Sequence, residues 1–301
     1  MTHKQVGWFE DHVSDPLSLK TIRMLALDLD GTLALDDHQI SPGTRSALTE
    51  LAQEGVEVVI ATGRRYRTTR YVIENLGLDV YAICNGGALG KDREAGTFHQ
   101  TAFPQDALAN IVEYARAFGL SLFGQRDSHS YGGADFIVDD GVPWHTQMRR
   151  YFDDNQTWSA RGDLTAFDDE VLVMGGFNDE DVLDAFASGL QEQFPEKYNT
   201  IVVPHLTSDY FYCEITQKHV DKWHGLGRLA DILDIDAAGV CAVGDQLNDL
   251  SMIRAAGHGF AMGNGNAELK RHANGICGNH DEDGLLDVVE YIREHNNVRA
   301  V

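Results

Sequence analysis

The chain has 301 residues, enough for two domains, and its 43% hydrophobic content is ordinary for a soluble fold. Its 47 acidic residues against 24 basic ones give a net charge of −23, which disfavours binding to nucleic-acid phosphates or anionic membranes. No apolar run approaches the ~20 residues that a bilayer span needs, and residues 1–20 lack an apolar signal core. A cytoplasmic protein with a 1–20 N-terminal extension is therefore expected, and the oligomeric state stays open.

The first element is the apolar run Met24-Leu25-Ala26-Leu27, short and bounded by a turn signal, which predicts a buried parallel strand. It runs into Asp28-Leu29-Asp30-Gly31-Thr32-Leu33. Side chains alternate along a strand, so Asp28 and Asp30 point the same way at its carboxyl end, where open α/β sheets bind ligands. An isolated D-x-D-G is also compatible with an ordinary acidic loop. Ser41-Pro42 and Gly55 bracket a helix over 44–54, with Ser as N-cap and Pro at the first position. Val56 to Ala61 reads as the second strand of a βαβ unit and ends in Thr62-Gly63-Arg64, a hydroxyl and backbone N–H groups suited to phosphate oxygens. Tyr81 to Cys84 is the next core strand.

Helical patterns at 105–118, 143–153 and 179–193 alternate with strand-like runs near 121–126, 130–138, 170–177, 199–204 and 208–215. They predict a separate small α/β domain over 88–216. The core resumes at 217–301, with Lys222 opening a helix near 226–233. A further strand, Val240 to Val243, runs into the acidic cluster Gly244-Asp245-Gln246-Leu247-Asn248-Asp249, and helices follow near 249–255 and 283–294. The fold class is α/β: a Rossmann-like, doubly wound parallel-sheet core over 21–87 and 217–301, interrupted by an insertion. The four cysteines are scattered, without a C-x-x-C pattern, and read as buried thiols. The thirteen histidines show no ligand spacing.

DLDGTL (28–33), ATGR (61–64), the lysine of HVDK (219–222) and GDQLND (244–249) occur in an order that resembles the haloacid dehalogenase superfamily, specifically its Cof-type phosphatases with a type IIB cap. Asn85-Gly86-Gly87 and Ala261-Met262-Gly263-Asn264 resemble two further segments of that family. The resemblance implies a phosphatase acting on a small phosphorylated metabolite, such as a sugar phosphate or phosphorylated cofactor. It implies Asp28 as nucleophile, forming an aspartyl-phosphate, and Asp30 as general acid and base. It implies Mg²⁺ held by Asp28, the carbonyl of Asp30 and Asp245, with Asn248 and Asp249 close by. Thr62, Gly63, Arg64, Asn85, Asn248 and Lys222 would bind the phosphate or substrate.

The family pattern has glycine after the lysine, whereas Trp223-His224-Gly225 follow here, so Lys218 is a rival to Lys222. Arg65 and Arg67 are rivals to Arg64. Asp249 could also N-cap the helix after it and still assist metal binding. Specificity is expected in the cap, with Arg126, His129, Tyr131, Trp144 and His145 as unranked candidates. A phosphomutase of the same superfamily and a non-catalytic phosphometabolite sensor are the alternatives.

Overall fold

The computed structural model describes residues 20–35, 39–167, 170–204 and 210–297. The expected extension over 1–20 lies outside the described residues except for Lys20. By their contacts the described residues form two units. The first runs up to Arg64, continues through Thr68–Phe98, and resumes from Asp221; the second holds Arg65–Arg67 and His99–Val220.

The first unit begins with β1 (Met24–Leu27), α1 (Pro42–Gln53), β2 (Glu57–Ala61), α2 (Tyr66–Leu76), β3 (Tyr81–Cys84), β4 (Leu89–Lys91) and β5 (Thr97–Gln100). Helix α1 starts as its sequence dictates, with the Ser41 hydroxyl accepting from the Thr44 N–H at 3.0 Å and Pro42 at the first position. The second unit carries α3 (Gln105–Phe118), β6 (Phe123–Gln125), α4 (Ser128–Tyr131), β7 (Phe136–Asp139), α5 (Thr146–Asp154), β8 (Ser159–Gly162), β9 (Val173–Asn178), α6 (Glu180–Gln193), β10 (Tyr198–Pro204) and β11 (Phe211–Gln217). The chain then returns with α7 (Lys222–Ile232), β12 (Val240–Gly244), α8 (Leu250–Ala255), β13 (His258–Ala261), α9 (Ala267–His272), β14 (Gly275–Ile276) and α10 (Leu285–Asn297).

The sheet of the first unit has the order β14-β13-β12-β1-β2-β3-β4-β5 and is parallel from β14 to β3. Alternation along β1 divides its core in two. Leu25 and Leu27 pack on one face with Leu48, Leu51, Val288 and Ile292 of α1 and α10. Met24 and Ala26 pack on the other with Leu226, Leu229, Met252 and Ile253 of α7 and α8. The result is a doubly wound α/β unit with both faces of its central strands covered. Strands β4 and β5 have no counterpart in the sequence reading, where their residues belong to the insertion. They are three and four residues long, too short to show a periodicity. They extend the first unit's sheet instead, β4 antiparallel to β3.

The second unit's sheet has the order β10-β11-β9-β6-β7-β8. One face buries Leu108, Ile111, Leu183 and Phe186 of α3 and α6. The opposite face buries Phe123, Phe136, Phe177 and Met148, the last from α5. Strand β8, parallel to β7, was not expected; its sequence Ser-Ala-Arg-Gly is half-exposed and carries no apolar alternation.

All four cysteines are buried thiols. Burial pushes the Cys213 and Cys277 thiols up to about 12, and raises that of Cys241 further. No helix among the described residues is long and apolar enough to cross a membrane.

Candidate active site

Strand register assembles the site. β1 lies between β12 and β2, with Leu27 opposite Val243 on one side and Ile60 on the other. Asp28, the first residue past β1, donates its N–H to the Val243 carbonyl at 2.9 Å, which sets it beside Gly244 and Asp245. Thr62, one residue past β2, is tied to β3 by its N–H to Ile83 O at 2.8 Å. All three turns leave the carboxyl edge of the sheet next to the strand where the order reverses, the expected position for a ligand site.

Carboxylate oxygens of Asp28, Asp245 and Asp249 lie within 4.8 Å of one another, and all three residues are buried. Lys222 Nζ donates to Asp28 Oδ1 and Asp249 Oδ1, each at 2.5 Å, from a side chain 1% exposed. Burial, followed by repulsion from Asp249, raises the Asp28 carboxyl well above the usual range, with Lys222 opposing. Burial and then Asp249 push Asp245 up to about 6. Burial alone would lower Lys222, but Asp249 and Asp28 together outweigh it and hold the ammonium charged.

Two glycines permit this crowding. A Cβ on Gly244 would stand 2.4 Å from Asp249 Cγ, and one on Gly31 would stand 2.6 Å from Asp245 Oδ2. Gly31 also has φ +76°, where a side chain is strained. Asp245 is held by Gln246 Nε2 at 3.1 Å and Thr32 Oγ1 at 3.4 Å. Asp249 stands at the N-cap position of α8, but its side chain makes no cap bond to that helix. Its Oδ2 reaches back to the N–H groups of Asp245 and Gln246, at 2.9 and 3.0 Å, and leaves Oδ1 for Lys222.

Lys222 is positioned by its backbone. Asp221 caps α7 by accepting from the His224 N–H at 2.9 Å. The Asp221 carbonyl passes so close to Gly87 that a Cβ there would sit 1.8 Å from it, and Gly87 has φ +108°. A Cβ on Gly225 would meet Ile83 at 2.5 Å and the Gly87 carbonyl at 2.9 Å. The glycine therefore comes one helical turn after the lysine and seats α7 on the Asn85–Gly87 turn. The rival Lys218 is 44% exposed, in the second unit, with its Nζ 3.9 Å from Glu196.

The Thr62–Arg64 turn is held from within and from below. Thr62 Oγ1 accepts from the Arg64 N–H at 3.1 Å. Asn85, buried and at φ +51°, donates its N–H to the Arg64 carbonyl at 2.9 Å, and Gly86 donates to the Thr62 carbonyl at 3.2 Å. Gly63 is half-buried with open space where a Cβ would be. Arg64 turns to Asp30, with Nε donating to Oδ2 at 2.7 Å and Nη2 to Oδ1. Arg65 and Arg67 do not share that position; both donate to the buried Asp135 of the second unit, at 2.6 and 2.7 Å. Asn248 is exposed on the turn between Asp245 and Asp249.

In the second unit, Arg126 is engaged by Glu170 and the Gly132 carbonyl and lies over the Tyr131 ring. Trp144 donates to the Asp139 carbonyl at 2.7 Å and stacks under Arg161. These contacts hold the unit's own loops together. Sequence reasoning missed Thr32, Gln246 and Gly87 as parts of the site, although each stands inside or beside a motif.

A buried set of carboxylate oxygens is the hard donor set that a divalent cation prefers, and a cation there would offset the burial and mutual repulsion that raise Asp28 and Asp245. The cluster can thus hold a divalent metal.

Known proteins resemble this chain in sequence and in fold. The chain is 30% identical to the 5-amino-6-(5-phospho-D-ribitylamino)uracil phosphatase YitU of Bacillus subtilis, over 90% of this chain and 97% of that protein. Its fold matches a haloacid dehalogenase-like hydrolase from Bacteroides thetaiotaomicron with a TM-score of 0.71 and 26% identity, over 91% of this chain and all of that one. It also matches the subclass IIB sugar phosphatase BT4131 with a TM-score of 0.69 and 22% identity, over 90% and 99% of the two chains. Residues 25–289 match the family model of the haloacid dehalogenase-like hydrolases, and the chain belongs to that family, in its Cof-type branch of phosphatases.

Proposed function

We propose that this protein is a Mg²⁺-dependent phosphatase that hydrolyses small phosphorylated metabolites, sugar phosphates or phosphorylated cofactors, through an aspartyl-phosphate on Asp28. The observation that carries this reading is the buried cluster in which Lys222 bridges Asp28 and Asp249 beside Asp245. The phosphorylated ribityl side chain named for the Bacillus relative is a small phosphomonoester of the same chemical class.

Asp28 attacks phosphorus while Asp30 protonates the leaving oxygen; Asp30 then takes a proton from water as the water attacks the aspartyl-phosphate, which frees Asp28. Lys222 neutralises charge shared between Asp28 and the phosphoryl oxygens. Thr62 and the Gly63 backbone bind those oxygens, and Asn85 shapes the turn that presents them. Asp28, the Asp30 carbonyl and Asp245 would hold Mg²⁺, with Asn248 and Asp249 supporting it, and the ion supplies charge neutralisation for the transferring phosphoryl group.

The test is phosphate release from a panel of phosphorylated metabolites, with Mg²⁺ and after chelation. Turnover that disappears with the metal and returns on adding it is the expected result. Full activity in chelator removes the metal site, and transfer of the phosphoryl group to a second sugar without free phosphate makes the protein a mutase.

A thermal melt reads the ligand set separately. Asp245 titrates near 6 in the folded chain against an ordinary 3.8, so the folded state binds the extra proton. Its contribution to stability is present below about 4 and lost as pH rises through about 6. Mg²⁺ is therefore expected to raise the melting temperature clearly at pH 7 and little at pH 4. An equal rise at both pH values takes the two raised carboxylates, Asp28 and Asp245, out of the ligand set.

A further inference from the structure

We infer that Arg64 is a positioning residue for Asp30, holding the acid–base carboxyl toward the leaving group, and not primarily a clamp on the transferring phosphate. The inference rests on the phosphatase reading above. Arg64 grips Asp30 through two parallel N–H donors, the fork that fixes a carboxylate in both direction and plane. The backbone of Arg64 is itself pinned on both sides, its N–H on Thr62 Oγ1 at 3.1 Å and its carbonyl under the Asn85 N–H at 2.9 Å. The guanidinium is thus carried on a turn with little freedom. The two side chains are 22% and 36% exposed, so solvent screens the charge of the pair while the fork still fixes its geometry. What the pair does supply is orientation. The other cation of the site, Lys222, is committed to Asp28 and Asp249, so each of the two working carboxylates has its own partner.

On the phosphatase reading, Asp30 serves the leaving oxygen. In the first half-reaction the Asp28 oxygen bonds to phosphorus, the bond from phosphorus to the leaving oxygen breaks with its electron pair on that oxygen, and the Asp30 proton moves there. In the second, a water proton moves to Asp30 as the water oxygen bonds to phosphorus and the Asp28 oxygen leaves with its electron pair. A protonated carboxyl keeps a free carbonyl oxygen, so one arm of the fork can stay bound when the other is released. Arg64 then holds Asp30 in line through both half-reactions.

The effect should track how much the leaving group needs a proton. Arg64→Ala and Asp30→Asn are compared on glycerol phosphate, whose alkoxide must be protonated, and on 4-nitrophenyl phosphate, whose phenolate leaves unaided. General acid catalysis is worth about 10²–10⁴-fold. In a single turnover at saturating substrate, which reads the first half-reaction alone, Arg64→Ala is expected to lose at least tenfold more rate on the alkyl ester than on the aryl ester, the same pattern as Asp30→Asn. The double variant should lose no more than Asp30→Asn alone, because the two act as one unit. Arg64→Lys, which keeps the charge without the fork, should fall between. Equal losses on both esters, a change confined to KM, or additive losses in the double variant overturn the inference and make Arg64 a phosphate clamp. Failure of the wild type to hydrolyse either ester overturns the phosphatase reading itself, and the inference with it.

Discussion

Asp28→Asn is expected to lower phosphate release at least ~10³-fold while leaving the melting temperature unchanged or higher. The loss follows because an amide cannot attack phosphorus to form the acyl phosphate. The stability result follows from the surroundings. Asp28 is buried against Asp245 and Asp249, and burial and repulsion raise its carboxyl well above the ordinary range. An amide of nearly the same shape removes a charge that the fold holds at a cost, and Lys222 keeps Asp249 as its partner at 2.5 Å. Steady-state phosphate release and a thermal melt on the same preparation check both halves. A variant retaining a tenth of wild-type turnover excludes Asp28 as nucleophile; one that melts much lower shows that the cluster is structural.

Lys222→Ala should fail in the opposite way, losing both activity and stability. Its side chain is 1% exposed, and its ammonium is the shared donor of two buried carboxylates. Removing one partner of a buried ion pair costs about 3–5 kcal/mol, because the remaining charge has neither water nor a counterion. Here two carboxylates, Asp28 and Asp249, would be left facing each other. A fall in melting temperature together with at least ~10³-fold lower turnover is expected, the latter because the transferring phosphoryl also loses its cation. Lys218→Ala, at an exposed lysine of the second unit, should leave turnover within about twofold of wild type. The reverse ranking of the two lysines would reassign the site.

Much of this geometry is legible in the chain because it is written in strand ends. Short apolar runs at 24–27, 57–61 and 240–244 announce buried parallel strands, and each runs directly into polar residues that the sheet then gathers at one edge. The alternation along the first of these strands splits Leu25 from Ala26 between two cores. What could not be read depends on approach between distant segments. Nothing local says that Gly87 must lack a Cβ; the reason is the Asp221 carbonyl, 134 residues on. Nothing local turns Arg64 toward Asp30 while Arg65 and Arg67 turn to Asp135. Asp249 looked like a helix cap by composition, and only the fold shows its carboxylate folding back to Asp245 and Gln246. The short strands β4, β5 and β8 escape for a simpler reason: three or four residues, partly polar, give no period to detect.

The buried thiols carry a practical consequence. Cys84, Cys241 and Cys277 lie in the first unit and Cys213 in the second, all inaccessible and, for 213, 241 and 277, held protonated by burial. A thiol must be both exposed and ionised to react with an alkylating reagent. Each cysteine therefore records the moment its surroundings open, and peptide mapping of the label separates the opening rate of one unit from that of the other. The native chain supplies its own reporters of local unfolding, without an engineered probe.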